Sequence, residues 1–340
     1  MSDHILLKHG AGGAAMRSLI VETFVRGALQ DLPGGSIGLA AMDDGAAIRV
    51  GDRWLVVTTD SHVISPRFFP GGDIGRLAVS GAVNDLAMMG ATEVLGLTCA
   101  VILEDGFPRE ELERVQTSIR ATSREARAPI VTGDTKVMGR GEIDGLVLNT
   151  TGVAFTDRVV RDSGLRPGDR IVVTGTIGDH GMAVMSARHD LGLQGELVSD
   201  VAPIGGLVAM ALAAHGDAVT AMKDPTRGGV ASALHEMAEK SRVGVMLDET
   251  HLPVRDEVRA AAELLGIDPL HVANEGKAVI GVRPGAAEAL VATLREHPLG
   301  RRAAIVGTCI ADHVGCLILD TGFGRRLVAE IEGEPLPRIC

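Results

Sequence analysis

The chain has 340 residues, enough for about two domains. Hydrophobic residues make up 46%, and with six Phe, one Trp and no Tyr the cores must be aliphatic. A net charge of −11 excludes nucleic acid as a partner held by bulk electrostatics, but not a nucleotide joined to carboxylates through Mg²⁺.

In chain order, residues 54–59 (WLVVTT) predict a buried strand. Residues 73–89 predict a helix closed by Gly90, and 93–102 a further strand. Pro108 opens a charged surface helix over 109–127, and strands follow at 129–132 and 146–155. The polar stretch 156–169, rich in Arg, Gly and Pro, is the expected domain connection. Beyond it, strands are expected at 170–174, 277–282, 303–309 and 316–319. Helices are expected at 181–189, 204–214, 228–240, 256–265 and 285–296. The pattern predicts two α/β units, 1–155 and 170–332, and a tail, 333–340. Two prolines give that tail an extended polyproline character, with a reach of roughly 20 Å at ~3.1 Å per residue. No run of about 18 uncharged apolar residues predicts a membrane span. The first ten residues lack the basic-then-apolar pattern of a secretory signal, so the cytoplasm is expected.

The chemistry-bearing residues are mostly acidic. Asp43 and Asp44 (MDDGAA), Asp60 (TTDSHV), Asp85 (VNDLAMMG) and Asp134 (TGDTK) each follow or interrupt an apolar run. Alone, each reads as a turn residue or a helix cap. Together at strand ends they would repel one another unless a cation sat between them, and Mg²⁺ prefers such oxygen ligands. Asp85, beside Asn84, breaks an almost wholly apolar helix and so needs a partner. Lys136 can bring a cation to a phosphate, and Glu275 (ANEGK) is a candidate general base; ordinary solvated charges are the alternative for both. Asp224 opens DPTRGG, where Arg227 or the following helix N-terminus can hold an anion. Residues 175–181 (GTIGDHG) lack dinucleotide-site spacing and read as a strand-to-helix turn. HGAGG (9–13) either folds over a nucleotide or frays. No P-loop and no C-x-x-C pair occurs, so neither a Walker nucleotide site nor a structural zinc is indicated. Cys99 and Cys309 read as buried small hydrophobes, whereas Cys340, the last residue, is an exposed mobile thiol.

These motifs, with AVNDLAMMGA, VTGDTKV, ELVSD and the closing PLPRIC, resemble the HypE family of hydrogenase expression/formation proteins over essentially the whole chain. The aspartate motifs alone point only to the wider PurM-like ATP-binding superfamily, and PRIC narrows it. The resemblance implies a two-domain PurM-like α/β (α+β) fold whose amino-terminal sheet domain binds ATP and pairs in a homodimer. It implies Mg²⁺ on Asp44, Asp60, Asp85 and Asp134, with Asp43, Asn84 and Asp224 in the nucleotide site. Cys340 would accept a carbamoyl group from the carbamoyltransferase HypF, dehydrate it with ATP to a thiocyanate, and pass cyanide to iron on a HypC–HypD scaffold for a [NiFe]-hydrogenase. Lys136 and Glu275 would serve the proton transfers. One alternative is a PurM-like kinase or synthetase acting on a free small molecule, which would have no use for Cys340. Another is a nucleotide-binding scaffold whose tail docks a partner without chemistry.

Overall fold

A computed structural model describes residues 4–10, 12–28, 31–189, 197–330 and 339–340. The expected extended geometry of 333–338 lies outside the described residues. In the first half the elements are α1 (Gly13–Ile20), β1 (Ala46–Val50), β2 (Arg53–His62), β3 (Phe68–Phe69), β4 (Gly72–Asp73), α2 (Ile74–Met88), β5 (Glu93–Glu104), α3 (Arg109–Glu125), β6 (Ile130–Met138) and β7 (Leu146–Thr156). The second half runs β8 (Arg170–Val173), α4 (Asp179–His189), α5 (Gly205–His215), β9 (Val219–Lys223), α6 (Gly229–Ser241), β10 (Gly244–Asp248) and α7 (Asp256–Leu265). It closes with β11 (Val279–Val282), α8 (Ala287–Glu296), β12 (Ala304–Ile310), β13 (Leu317–Asp320) and β14 (Arg325–Val328).

Each half is built on one sheet. The first has the order β1-β2-β7-β5-β6, antiparallel except where α3 carries the chain from β5 to a parallel β6. The second has the order β14-β13-β10-β12-β8-β11-β9. Along β7 every second residue is buried, from Leu146 to Thr156, because alternate side chains point toward the helix layer. The opposite face leaves Leu55, Val57, Val147 and Val153 half-buried.

Helix α2 is the hub. Asp73 caps it, accepting from the N–H groups of Gly75 at 2.8 Å and Arg76 at 2.9 Å, a cap worth about 1 kcal/mol. Gly90, at φ 80°, ends it in the left-handed region that favours glycine. Between these ends the helix is buried on nearly all sides, against β2 and β7 on one face and α3 and α5 on others. Leu77, Leu86 and Met88 are fully buried there, each contributing about 1.5–3 kcal/mol. Where the residue pattern stops a strand at 132, β6 continues to Met138, so Asp134 lies mid-strand rather than at a strand end. Asp60 likewise lies inside β2. Among the described residues, no helix is long and apolar enough to cross a membrane.

Candidate active site

Strand β2 aims Thr58, Asp60 and His62 at α2, because alternate residues share a face. Asp85 meets them from α2. Asp44 comes from the turn before β1, and Lys223 and Asp224 from the end of β9. Arg227 lies in the turn into α6, and Glu275 in the loop before β11. All of these, with Cys340, line one cavity of about 520 Å³.

The Thr58 hydroxyl lies 2.6 Å from Asp85 Oδ2 and 3.0 Å from the Asp44 carbonyl oxygen. Lys223 Nζ lies 2.5 Å from Asp44, 3.4 Å from Glu236 and 3.7 Å from Asp162. Burial opposes the charge of Lys223, but Asp44, Glu236 and Asp162 outweigh it and hold the ammonium well above its ordinary pKa. Burial, then Asp60, Asp224 and Asp44, pushes Asp85 well above the usual carboxylate range. Burial, then Asp44, pushes Asp224 up to about 8. Glu275 is raised well above its ordinary value by burial, then by Asp224, Asp200 and Asp60. Its Oε1 is buried with no hydrogen-bond partner among the described residues. The cavity therefore holds carboxyls in mutual repulsion, with Glu275 Oε1 unsatisfied among the described residues. Such a donor set fits a divalent cation that arrives with phosphate oxygens.

It is not a closed metal cage. Among the described residues, no group of three or more His, Cys, Asp or Glu side chains is arranged to hold a metal ion alone. Of the four aspartates expected to hold Mg²⁺, Asp44, Asp60 and Asp85 border this cavity and Asp134 does not. Asp44 is taken by Lys223. Asp134 lies on β6, three strands from β2, roughly 14 Å away at the usual strand spacing. The line in register with Asp60 runs through Thr150 and Cys99 to Gly133, whereas Asp134 continues the line Ser61, Asn149, Ala100 on the opposite face. Lys136 shares that face with Asp134, and, two strands beyond β7, neither lines the cavity of its own chain. Asn84, expected in the nucleotide site, has its side chain bonded to the backbone of the second half. Its Nδ2 donates to the carbonyls of Ala202 and Glu275, both at 3.1 Å, and its Oδ1 accepts from the Ile204 N–H at 2.8 Å. It thereby clamps α2 to the second half and fixes the Glu275 backbone. Asp43 borders the cavity but pairs with Arg161 at 3.2 Å.

Several cavity-lining residues escaped the motif pattern. Lys223 directly precedes DPTRGG, yet a lysine at the end of a short strand looks in sequence like any solvated charge. His62, buried 3.8 Å from Asp60, carries no signal beyond its place in TTDSHV. Of the HGAGG segment, Ala11 lies outside the described residues; on either side of it the Gly10 carbonyl accepts from Arg227 at 3.2 Å, and a Cβ on Gly12, at φ 84°, would meet the Arg227 backbone oxygen at 3.0 Å. GTIGDHG is the strand-to-helix turn between β8 and α4.

Residues 42–156 match the N-terminal domain of AIR synthase related proteins, and residues 166–320 match the C-terminal domain. The chain is 48% identical over 342 aligned residues to the carbamoyl dehydratase HypE of Rhizobium leguminosarum bv. viciae, covering 100% of this chain and 96% of that one. The chain belongs to the HypE family. Among solved HypE structures, that of a HypE–HypF complex matches with a TM-score of 0.84 at 39% identity, covering 94% of this chain and 100% of the other. HypE in complex with ATP matches with a TM-score of 0.81 at 39% identity, covering 99% of this chain and 100% of the other. The two sheets with their helices are thus the two-domain PurM-like fold of HypE.

Proposed function

We propose that this chain dehydrates an S-carbamoyl group on its own Cys340 to a thiocyanate, using ATP, in the cytoplasm, and so supplies cyanide for the iron of a [NiFe]-hydrogenase. The observation that carries the reading is that Cys340 borders the same cavity as Asp85, Asp224 and Glu275. The ATP complex of HypE supports the nucleotide, and the HypE–HypF complex supports HypF as carbamoyl donor. A HypC–HypD scaffold is the proposed cyanide acceptor.

The chemistry follows from the poor leaving ability of the carbamoyl oxygen. That oxygen attacks the γ-phosphorus of ATP and ADP leaves. One N–H proton departs, giving an O-phosphoryl imidate on sulfur. The imidate then loses inorganic phosphate and its second N–H proton as the C≡N bond forms. Glu275, raised in pKa and with Oε1 unsatisfied, is the proposed proton acceptor: a carboxylate with a raised pKa is a stronger base. Lys223 and Arg227 offer positive charge to the phosphates. Asp60, Asp85 and Asp224 would hold Mg²⁺, which when bound neutralises phosphate charge.

Asp134 and Lys136 find their use in a homodimer. Strand β6 is exposed along nearly its whole length, and the adjoining sheet face is only half-buried. An open edge and face of this kind suit pairing with a second copy. In that reading each chain lends Asp134 and Lys136 to its partner's cavity.

The test is the intact mass of the protein after incubation with the carbamoyltransferase, a carbamoyl donor and ATP. Gain of one carbamoyl on Cys340, then loss of one water when ATP is added, is the expected result. A carbamoyl adduct that ATP leaves unchanged contradicts the proposal. A kinase for a free small molecule would keep its activity in Cys340→Ala.

A further inference from the structure

We infer that His180, backed by Ser199 and by the burial of Ile339, is a latch that holds the end of the chain at a fixed depth and so positions the Cys340 sulfur in the cavity. The inference rests on the proposed reaction for its purpose, but not for its geometry.

His180 is the second residue of α4 and is fully buried. Its Nε2 lies 2.7 Å from the Ile339 carbonyl oxygen, and its Nδ1 lies 2.8 Å from Ser199 Oγ. Ser199 Oγ accepts from the Val201 N–H at 3.1 Å. A carbonyl can only accept, so Nε2 must carry the proton. Nδ1 then accepts from the Ser199 hydroxyl, and the chain of bonds fixes one tautomer. Burial lowers the pKa of His180, which keeps the ring in this neutral form. The Phe69 ring meets the imidazole edge-on at 5.3 Å between centroids and restricts its rotation.

Two further contacts define the seat. The Ile339 side chain is 2% exposed and belongs to the apolar cluster that contains Ile64, Phe69 and Met182. The Cys340 backbone oxygen accepts from the Val63 N–H at 3.4 Å, next to His62 on β2. Backbone and side chain are therefore both held at the residue before the cysteine. When the tail leaves to meet another protein, the buried Nε2–H loses its acceptor and Ile339 loses its apolar surroundings. Both losses favour return. The latch makes the docked position the resting one and sets how far the sulfur reaches.

The test is the rate at which a maleimide labels Cys340 in the full chain, read by mass and peptide mapping so that the partly exposed Cys316 is counted apart. No carbamoyl donor is needed, so a latch without dehydration would sink the proposed reaction and leave this inference standing. His180→Leu, which keeps the bulk and removes the donor, is expected to raise Cys340 labelling roughly fivefold or more. His180→Gln, which restores an N–H at the same reach, is expected to stay within about twofold of the parent. ATP affinity should be unchanged in both. Equal labelling in the parent and His180→Leu overturns the latch, as does an equal rise in Leu and Gln. Should His180→Leu fail to fold, Ile339→Ala, which alters only the tail, is expected to label roughly tenfold faster. No change in that variant also overturns the latch.

Discussion

In the folded chain Asp224, and Asp162 in its pair with Asp43, hold a proton more tightly than a free carboxyl does. Burial and then Asp44 raise Asp224 to about 8. Burial and then the hydrogen bond with Asp43 raise Asp162 to about 8. An unfolded Asp titrates near ~3.9, so between these values the folded chain holds protons that the unfolded chain has released. That stabilisation is complete below the unfolded pKa and is lost as pH rises toward the folded one. His62 and His180, lowered by burial, act in the opposite sense, but only below the unfolded value of about 6.5. From about pH 6.5 to 8 the aspartates therefore decide the slope. Without nucleotide or divalent cation, the melting temperature is expected to fall across that window, and Asp224→Asn is expected to flatten the fall. Calorimetry at several pH values checks this, and a melting temperature that climbs over the same window contradicts it. The acidic residues were legible in sequence because a carboxylate inside an apolar run needs a partner. Their balancing charge was not: Lys223 reaches Asp44 and Asp162 only because β9 lies beside residues 161–162, where the Met222 N–H donates to the Arg161 carbonyl.

The packing of α2 on β2 decides whether the carboxylates converge. A Cβ on Gly81, one turn before Asp85, would lie 2.9 Å from both Asp60 Oδ2 and His62 Nε2. Both atoms are the ends of side chains and can turn away, so the clash acts on the site more than on the fold. Gly81→Ala gains up to ~1 kcal/mol of helix propensity and loses a similar amount to crowding. Its melting temperature is expected to stay within about 4 °C of the parent, while ATP binding in the presence of Mg²⁺, measured by calorimetric titration, weakens about tenfold. Unchanged ATP affinity in Gly81→Ala would show that Asp60 is not needed there. The helix itself was readable to within a residue at each end, as 73–89 closed by Gly90, though not Asp73's role as its cap. Strands β9 and β10 were not, because VTAMK and GVMLD are too short for a period to declare itself. The role of Asn84 was hidden for another reason: its three partners are backbone groups contributed by the second half of the chain.

At the scale of the whole molecule, Cys340 and Lys136 belong to opposite faces of the first sheet. If two chains pair through that open face, Lys136 of one completes the cavity of the other. Lys136→Ala and Cys340→Ala should each be inactive alone. Mixed and allowed to exchange, half of the dimers are hybrids, and each hybrid carries one complete site. The mixture is expected to recover about a quarter of the parent's dehydration rate. No recovery, with hybrids demonstrated by native mass spectrometry, would place Lys136 outside the reaction in trans. The two-sheet architecture was evident from the alternation of strands and helices. The separation of Asp134 and Lys136 from the other site residues was not, because it depends on β6 lying at the sheet edge.

The most direct test follows the carbamoyl oxygen. With that oxygen labelled as ¹⁸O on Cys340, a single turnover with ATP is expected to place the label in inorganic phosphate, since phosphorylation precedes loss of the C–O bond. Label recovered in water, or thiocyanate formed without ATP cleavage, would contradict the account.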